Sequence, residues 1–287
     1  MTEARIGVIG GSGLYEMEGL ANVEEVKPKT PFGEPSDTIV VGELEGSSVA
    51  FLPRHGRGHF ILPTEVPSQA NIYALKSLGV EWIISISAVG SLKEEIHPLD
   101  LVIPDQLIDR TRSRVNTFFG GGLVAHVGFA DPFCPVLGDI LYRAAVETGA
   151  TVHKGGTYVV MEGPLFSTRA ESYLYRSWGA SVIGMTALPE AKLAREAEIC
   201  YATVACATDY DCWHEAEESV TIEMVVARLQ QNVSRAKQIV RTAVSRIPQE
   251  RGCGCPEALK NAIITNPDKI PEERKKELAL LLGKYLK

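Results

Sequence analysis

Arg5-Ile6-Gly7-Val8-Ile9-Gly10-Gly11-Ser12-Gly13 opens the chain with a short apolar run that passes directly into a glycine turn. The run Arg5–Ile9 reads as a buried strand, and a strand that ends in glycines is how an α/β sheet begins. Outward from it, Thr38–Leu44 and Ser47–Leu52 form a hairpin about Glu45-Gly46. Ser68–Leu78 is helical up to Gly79, and Glu81–Ser87 is a buried strand. Leu101–Ile103 and Gln106–Ile108 are short strands, and Val136–Thr148 is a helix ended by Gly149. Thr157–Met161, Ser181–Gly184 and Cys200–Ala207 are strands, alternating with helices at Thr168–Trp178 and Pro189–Glu198. Val220–Ile247 keeps apolar residues at helical spacing, with Thr221 a candidate N-cap. The fold class is α/β: a single three-layer domain over residues 1–247, with a central mixed β-sheet flanked by helices. A Gly/Pro-rich link then leads to a C-terminal extension, 248–287, of short helices.

Composition narrows the function. The chain has 287 residues, 45% hydrophobic and 23% charged, as in ordinary globular proteins. A formal charge of −7 argues against nucleic acid or an anionic membrane as partner, because no basic patch can drive such binding. The basic run Arg274-Lys275-Lys276 sits among acids and reads as a solvated helix face. No apolar run is long enough to span a bilayer, and MTEARIGVIGG lacks a signal-peptide layout, so a cytoplasmic location is expected. The six cysteines show no paired CxxC spacing and the six histidines are scattered, so no metal site is expected. Buried thiols are the default, while Cys253-Gly-Cys255 could also close a strained, redox-labile link. The loop Thr111–Phe133 is long and glycine-rich, as functional or subunit-bridging loops are.

Six stretches could carry chemistry, five of them just past a strand. Gly10-Gly11-Ser12-Gly13 can turn amides and a hydroxyl toward an anion or simply reverse the chain; GxGxxG is not met, since Glu16 stands at the third glycine position. Pro53-Arg54-His55-Gly56-Arg57-Gly58-His59 suits oxyanion binding, Arg54 offering a two-pronged grip, or is a solvated basic loop. In Ser85-Ile86-Ser87-Ala88-Val89-Gly90-Ser91, Ser87 and the Ala88 amide can complete an anion cradle, or the small residues mark a tight crossing. In Glu162-Gly163-Pro164-Leu165-Phe166-Ser167-Thr168, Phe166 can stack on a planar base and Ser167 or Thr168 can cap a helix. Met185 and Thr186 offer a soft apolar contact and a hydroxyl, though a lone methionine is usually core. Asp209 and Asp211 follow a buried strand, where one carboxyl can be held near neutral to act as an acid; solvated loop acids are the plain alternative. Together these sort into an anion half and an acid-plus-aromatic half, a layout that suits phosphate plus a base.

These stretches, in this order, resemble the 5′-methylthioadenosine phosphorylases of the purine nucleoside phosphorylase superfamily. The likeness runs from about Ile6 to Ile247 through IGGSGLYE, TPFGEPSD, RHGRGH, SQANIYALKSLG, EGPLFSTRAES, GMTALPEAKLARE and ATDYDCW. The resemblance implies a homotrimer or dimer of trimers with sites near subunit interfaces. It implies phosphate at Ser12, Arg54, His55, Ser87, Ala88 and Thr186, and ribose against Met185. The base would lie by Phe166 and Ser167 with Asp209 and Asp211 at its edge. Ile222 and Val225 would line the 5′ pocket, and His126 would come from a neighbouring subunit. Ser12 and Ser87 stand where relatives often carry threonine, which keeps the hydroxyl, and Leu165 replaces a frequent arginine. The Cys-Gly-Cys segment is similar to archaeal and thermophilic versions.

The implied reaction is phosphorolysis of 5′-methylthioadenosine to adenine and 5-methylthioribose 1-phosphate, without metal or organic cofactor and with phosphate as co-substrate. Arg54, His55, Asp209 and Asp211 are the candidate catalytic residues, Asp209 assisting departure of the base at N7. A carboxyl accepts from the exocyclic amine of adenine, and an apolar Ile222 favours methylthio over a hydroxyl. Cleavage of 6-oxopurine nucleosides or of 5′-methylthioinosine is the nearby alternative. A nicotinamide-dependent oxidoreductase and a non-catalytic nucleotide sensor are the remote ones.

Overall fold

Strand β1 (Ile6–Gly10) is buried along its whole length, so its neighbours lie on both sides and both faces. The computed structural model describes residues 3–214, apart from 12 and 15, and residues 222–286. Around β1 run β2 (Ala21–Val26), β3 (Ile39–Leu44), β4 (Ser47–Pro53) and β5 (Trp82–Ser91). The hairpin β3–β4 is antiparallel, whereas β1 pairs in parallel with both β4 and β5. Beyond β5 come β6 (Leu101–Ile103), β7 (Gln106–Arg110), β8 (Val152–Lys154), β9 (Thr157–Met161), β10 (Val182–Gly184) and β11 (Cys200–Asp209). The sheet order is β2-β3-β4-β1-β5-β10-β9-β7, with β11 also on β5 and the short β6 and β8 continuing from β11. Mixed strand directions and helices on both faces match the expected class.

Residue alternation explains the layering. On β1 and β5, Ile6, Val8, Trp82 and Ile84 face α2 (Pro135–Val146) and α5 (Ile222–Val244), burying against Leu137, Leu141, Ile239 and Val240. Ile9 and Ile83 face the other way, toward α1 (Ser68–Ser77) and α4 (Glu190–Glu196), packing with Ile72, Leu75 and Leu193. The short α3 (Arg169–Ser177) closes a third cluster with Tyr175, Val159 and Trp213. Its start is a capping box: Thr168 accepts from the Glu171 N–H while Glu171 accepts from the Thr168 N–H. The segment beyond residue 248 adds α6 (Glu272–Glu277) and α7 (Ala279–Leu282), and inserts Leu259, Ile270 and Leu278 into the α1/α4 core.

The differences from expectation have physical causes. Strand β2 is exposed along most of its length and carries no apolar alternation that a sequence reading could detect. Strands β5 and β11 run past their expected ends at Ser87 and Ala207, because each remains paired to the other as far as Gly90 and Asp209. Ser87 and Ala88 therefore lie within a strand, not in a break. Small residues there lower strand propensity but permit close ladder pairing. Independently of any role between subunits, the loop Thr111–Phe133 is also anchored within its own chain: Glu196 accepts from the Phe118 N–H and from the Thr117 hydroxyl, and Arg274 donates to the Phe118 carbonyl. No helix among the described residues is long and apolar enough to cross a membrane.

Candidate active site

Strand β5 changes its neighbour. On one edge β1 pairs with it as far as Ser85, and β10 takes over only at Gly90. A sheet opens a crevice where a strand's neighbour changes, and ligands collect there. Ile86–Val89 lie at this gap, between β1 and β10.

Arg54 follows β4 directly and reaches into the gap. It donates from Nη1 to the Ile86 carbonyl at 3.1 Å, and from Nη2 to Ser85 Oγ at 2.8 Å. Its Nε and Nη2 also form a fork on Glu190, the Nη2–Oε2 distance being 3.1 Å. Both side chains are 4% exposed, so this is a buried, bidentate pair. Burial alone would raise the Glu190 carboxyl, but the Arg54 guanidinium overrides it and holds the pKa below its ordinary value. Tyr201 adds a donated hydrogen bond to Glu190 Oε2 at 2.9 Å. Among the described residues this leaves one Nη1 proton for a ligand. The fork expected to grip two phosphate oxygens is turned onto Glu190 instead.

His55 is 8% exposed, and its Nδ1 lies 2.9 Å from the Ile61 carbonyl. A carbonyl only accepts, so Nδ1 carries the proton and Nε2 keeps its lone pair. Burial first, and then the neighbouring Arg54 charge, lower its pKa to about 4, so the ring is neutral near pH 7. Such a nitrogen accepts from a hydroxyl; HPO4 2− has one.

A chain of hydroxyls completes this half. Thr186 donates to Ser87 Oγ at 2.7 Å, and Tyr158 Oη lies 3.0 Å from Thr186 Oγ1. Thr186 has a single proton, so Tyr158 must be the donor to it, and the Ser87 proton is released for another acceptor. Tyr158 is fully buried. Gly184 is needed beneath it, since a Cβ there would sit 2.5 Å from Tyr158 Oη.

The acidic half lies at the end of β11. Asp209 accepts from the Thr208 hydroxyl at 2.7 Å and from the Asp211 N–H at 2.8 Å. Burial, reinforced by the Asp209 charge, pushes Asp211 up to about 6. Gly90 makes room for the pair, since a Cβ there would come within 2.9 Å of Asp209 Oδ1. The loop after β9 closes onto these acids: Cys212 Sγ donates to the Ser167 carbonyl at 3.3 Å. Phe166, 48% exposed, lies in that loop. Met185 is positioned from both sides: Arg114 donates to its carbonyl at 2.7 Å, and Gly163 packs against its sulfur.

The fold thus brings together Arg54, Ser87, Ala88 and Thr186 about one opening, with His55 next to Arg54 and with Asp209 and Asp211 against Gly90 on the same strand. It places His126 elsewhere in this chain, with its N–H donating to the Ala262 carbonyl beside a depression lined by Glu257 and Lys260. Ser12, Thr221, and the side chains of Ile222 and Val225 lie outside the described residues. Glu190, Tyr158 and Arg114 were not singled out in the sequence. An acid opening a helix looks like ordinary dipole compensation, and a tyrosine in an apolar strand looks like core. The expectation of no metal site rested on the lack of CxxC pairs. The fold overrides that argument by gathering Cys134, Cys200, Cys253 and Cys255, distant in sequence, into one cluster. None of the six cysteines, Cys253 and Cys255 included, is joined in a disulfide.

Residues 5–245 match the family model described as the phosphorylase superfamily. The chain is 62% identical to a protein of Geobacter sulfurreducens named S-methyl-5′-thioadenosine phosphorylase, over 99% of this chain and 100% of that one. A solved methylthioadenosine phosphorylase sourced from an Antarctic soil metagenomic library is 53% identical with a TM-score of 0.94, covering 98% of this chain and 100% of its own. The methylthioadenosine phosphorylase of Schistosoma mansoni in complex with adenine is 35% identical with a TM-score of 0.80, over 98% of each chain.

Proposed function

The chain belongs to the phosphorylase superfamily, and from that premise we propose that it cleaves 5′-methylthioadenosine with phosphate to adenine and 5-methylthioribose 1-phosphate. The observation that carries this reading is the 62% identity, end to end, with a relative bearing that name. The geometry supports it, because Arg54 and a row of hydroxyls meet β5 within a few residues of Gly90, against which the two carboxyls pack.

In this reading phosphate lies at the Ser87 hydroxyl and the Ala88 amide, with the remaining Arg54 proton aimed at it. The neutral His55 ring accepts a phosphate hydroxyl and so orients the bare oxygens toward C1′. Thr186 and Tyr158 act through Ser87 by releasing its proton. Ribose lies on Met185, and the base lies between Phe166 and the acids. As the glycosidic bond lengthens, positive charge grows on the ribose and is met by the phosphate dianion. Electron density then gathers on the purine and is drained by hydrogen bonding or proton transfer at N7 from the Asp209–Asp211 pair. Two interacting carboxyls titrate as a unit, so the proton belongs to the pair. Phosphate is a co-substrate, and no metal or organic cofactor enters these steps.

Ser12, Ile222, Val225 and His126 keep their proposed places at phosphate, at the 5′ substituent and, through an adjoining subunit, at the nucleoside. A homotrimer or dimer of trimers in the cytoplasm, and a 1–247 unit with a 248–287 extension, complete the reading. A panel of methylthioadenosine, adenosine, inosine and methylthioinosine, assayed with and without phosphate, tests it. Phosphate-dependent cleavage with preference for methylthioadenosine is expected. Preference for a 6-oxo substrate would overturn the adenine assignment, and tight binding without turnover would overturn catalysis.

A further inference from the structure

Four of the six cysteines converge. Cys134 stands at the N-cap position of α2, Cys200 begins β11, and Cys253 and Cys255 lie in the link that leads to the C-terminal segment. Their four sulfurs all lie within 4.8 Å of one another. Cys134, Cys200 and Cys255 are buried and Cys253 is half-buried.

The separations discriminate between two kinds of chemistry. Cys253 Sγ is 3.7 Å from Cys134 Sγ and 3.4 Å from Cys200 Sγ. A disulfide requires about 2.05 Å. Four sulfurs bound tetrahedrally at about 2.3 Å from one ion lie about 3.8 Å apart along each edge. The two separations at Cys253 are close to such an edge and the remaining ones lie within 4.8 Å, so the cluster can close to a tetrahedral shell, which four sulfur donors fill with no open position. Soft thiolates favour zinc over the hard cations magnesium, calcium and manganese. Cys134 also stands at the positive end of a twelve-residue helix, which favours its thiolate form.

We propose that Cys134, Cys200, Cys253 and Cys255 form a structural tetrathiolate zinc site that fastens the C-terminal segment to the α/β body. On loading, four thiols and Zn2+ give a zinc tetrathiolate of net charge −2 and four released protons, with no electron transferred. The ion joins the entrances of α2 and β11 to the link just before Leu259 and Ile270 enter the core. Its contribution is to stability, since none of the four cysteines belongs to the phosphate or base residues. The proposal stands independently of the substrate assignment.

The full chain, purified from zinc-supplemented cells without chelators or metal-affinity resin, is analysed for metal by plasma mass spectrometry. About one zinc per chain is expected. Cys200→Ser and the half-buried Cys253→Ser should each lower zinc content about tenfold or more, whereas Cys212→Ser, outside the cluster, should retain it. Should Cys200→Ser fail to fold, Cys253→Ser carries the comparison. Cobalt substituted for zinc should give the intense visible bands and thiolate charge-transfer band of a tetrahedral sulfur site. Zinc below about a tenth of an equivalent, disulfides among these four cysteines on non-reducing peptide mapping, or full zinc content in Cys253→Ser would each overturn the proposal.

Discussion

Thr186 donates its only hydroxyl proton to Ser87 Oγ at 2.7 Å, joining the turn after β10 to the middle of β5. The bond sets the direction of every proton in the row. Tyr158 must donate to Thr186, and Ser87 is left with its own proton to offer.

Tyr158→Phe removes the first donor and leaves the Ser87 hydroxyl, proposed above to meet phosphate, less firmly oriented. We expect the phosphate KM to rise about tenfold, the value of one net hydrogen bond to a charged ligand, with nucleoside KM unchanged. Steady-state kinetics with each substrate varied in turn checks this; equal shifts in both KM values would contradict it.

Glu190→Gln leaves the buried Arg54 charge without its carboxylate, a loss of about 3 kcal/mol. Urea unfolding should show it. The pH dependence has a definite sign. Arg54 depresses the folded-state pKa of Glu190, so the pair's stabilisation is present above the ordinary value of 4.5 and is lost as pH falls below it. Glu190→Gln should flatten that acid limb.

Asp211 shifts the other way, from 3.8 to about 6. Its protonation favours the folded state, so that contribution is full below 3.8 and disappears as pH rises through about 6. If the pair's proton reaches N7, kcat/KM for the nucleoside should fall as pH rises past about 6. Asp211→Asn should abolish that inflection. A parent profile without it would remove the acid from the pair.

Gly90→Ala places a methyl within 2.9 Å of Asp209 Oδ1 and 3.3 Å of Asp211 Cβ. The acids must move, so nucleoside KM should rise while phosphate KM stays level. A rise in phosphate KM alone would place the damage in the anion cradle instead.

Asp209→Asn exchanges an acceptor-only group for one that also donates. Relative kcat/KM should move from methylthioadenosine toward methylthioinosine by about tenfold, the worth of one mismatched hydrogen bond. Unchanged selectivity would remove Asp209 from base recognition.

Much of the fold is legible in local pattern. β1, the β3–β4 hairpin, α1 and α2 follow from apolar periodicity and terminal residues within a few positions, whereas of the two candidate caps Ser167 and Thr168 the structure selects Thr168, in a capping box with Glu171. The missed strands β2 and β8 lack that pattern; one is exposed along most of its length and the other, Val152–Lys154, has a single apolar residue and no fully buried one. The proximity of Arg54, Ser87 and Thr186, and of Asp209 to Asp211, was foreshadowed because polar residues stand near the ends of apolar strands. Glu190 and Tyr158 gave no such sign, since their role depends on a partner that sequence distance hides.

What the chain's residues alone determine is the alternation that makes β1 and β5 buried strands and sets polar groups near the strand ends. Tertiary structure decides what those groups do. Arg54 is a free basic residue in sequence, but burial against Glu190 removes water from both and leaves a charge pair with one proton to spare. Asp209 and Asp211 are two acids just past a strand in sequence, and only burial beside Gly90, reinforced by the Asp209 charge, raises Asp211 to about 6. Cys134, Cys200, Cys253 and Cys255 have no motif spacing, and only chain crossing makes them a cluster. In each case the energy at stake depends on distance and dielectric, which are properties of the packed chain.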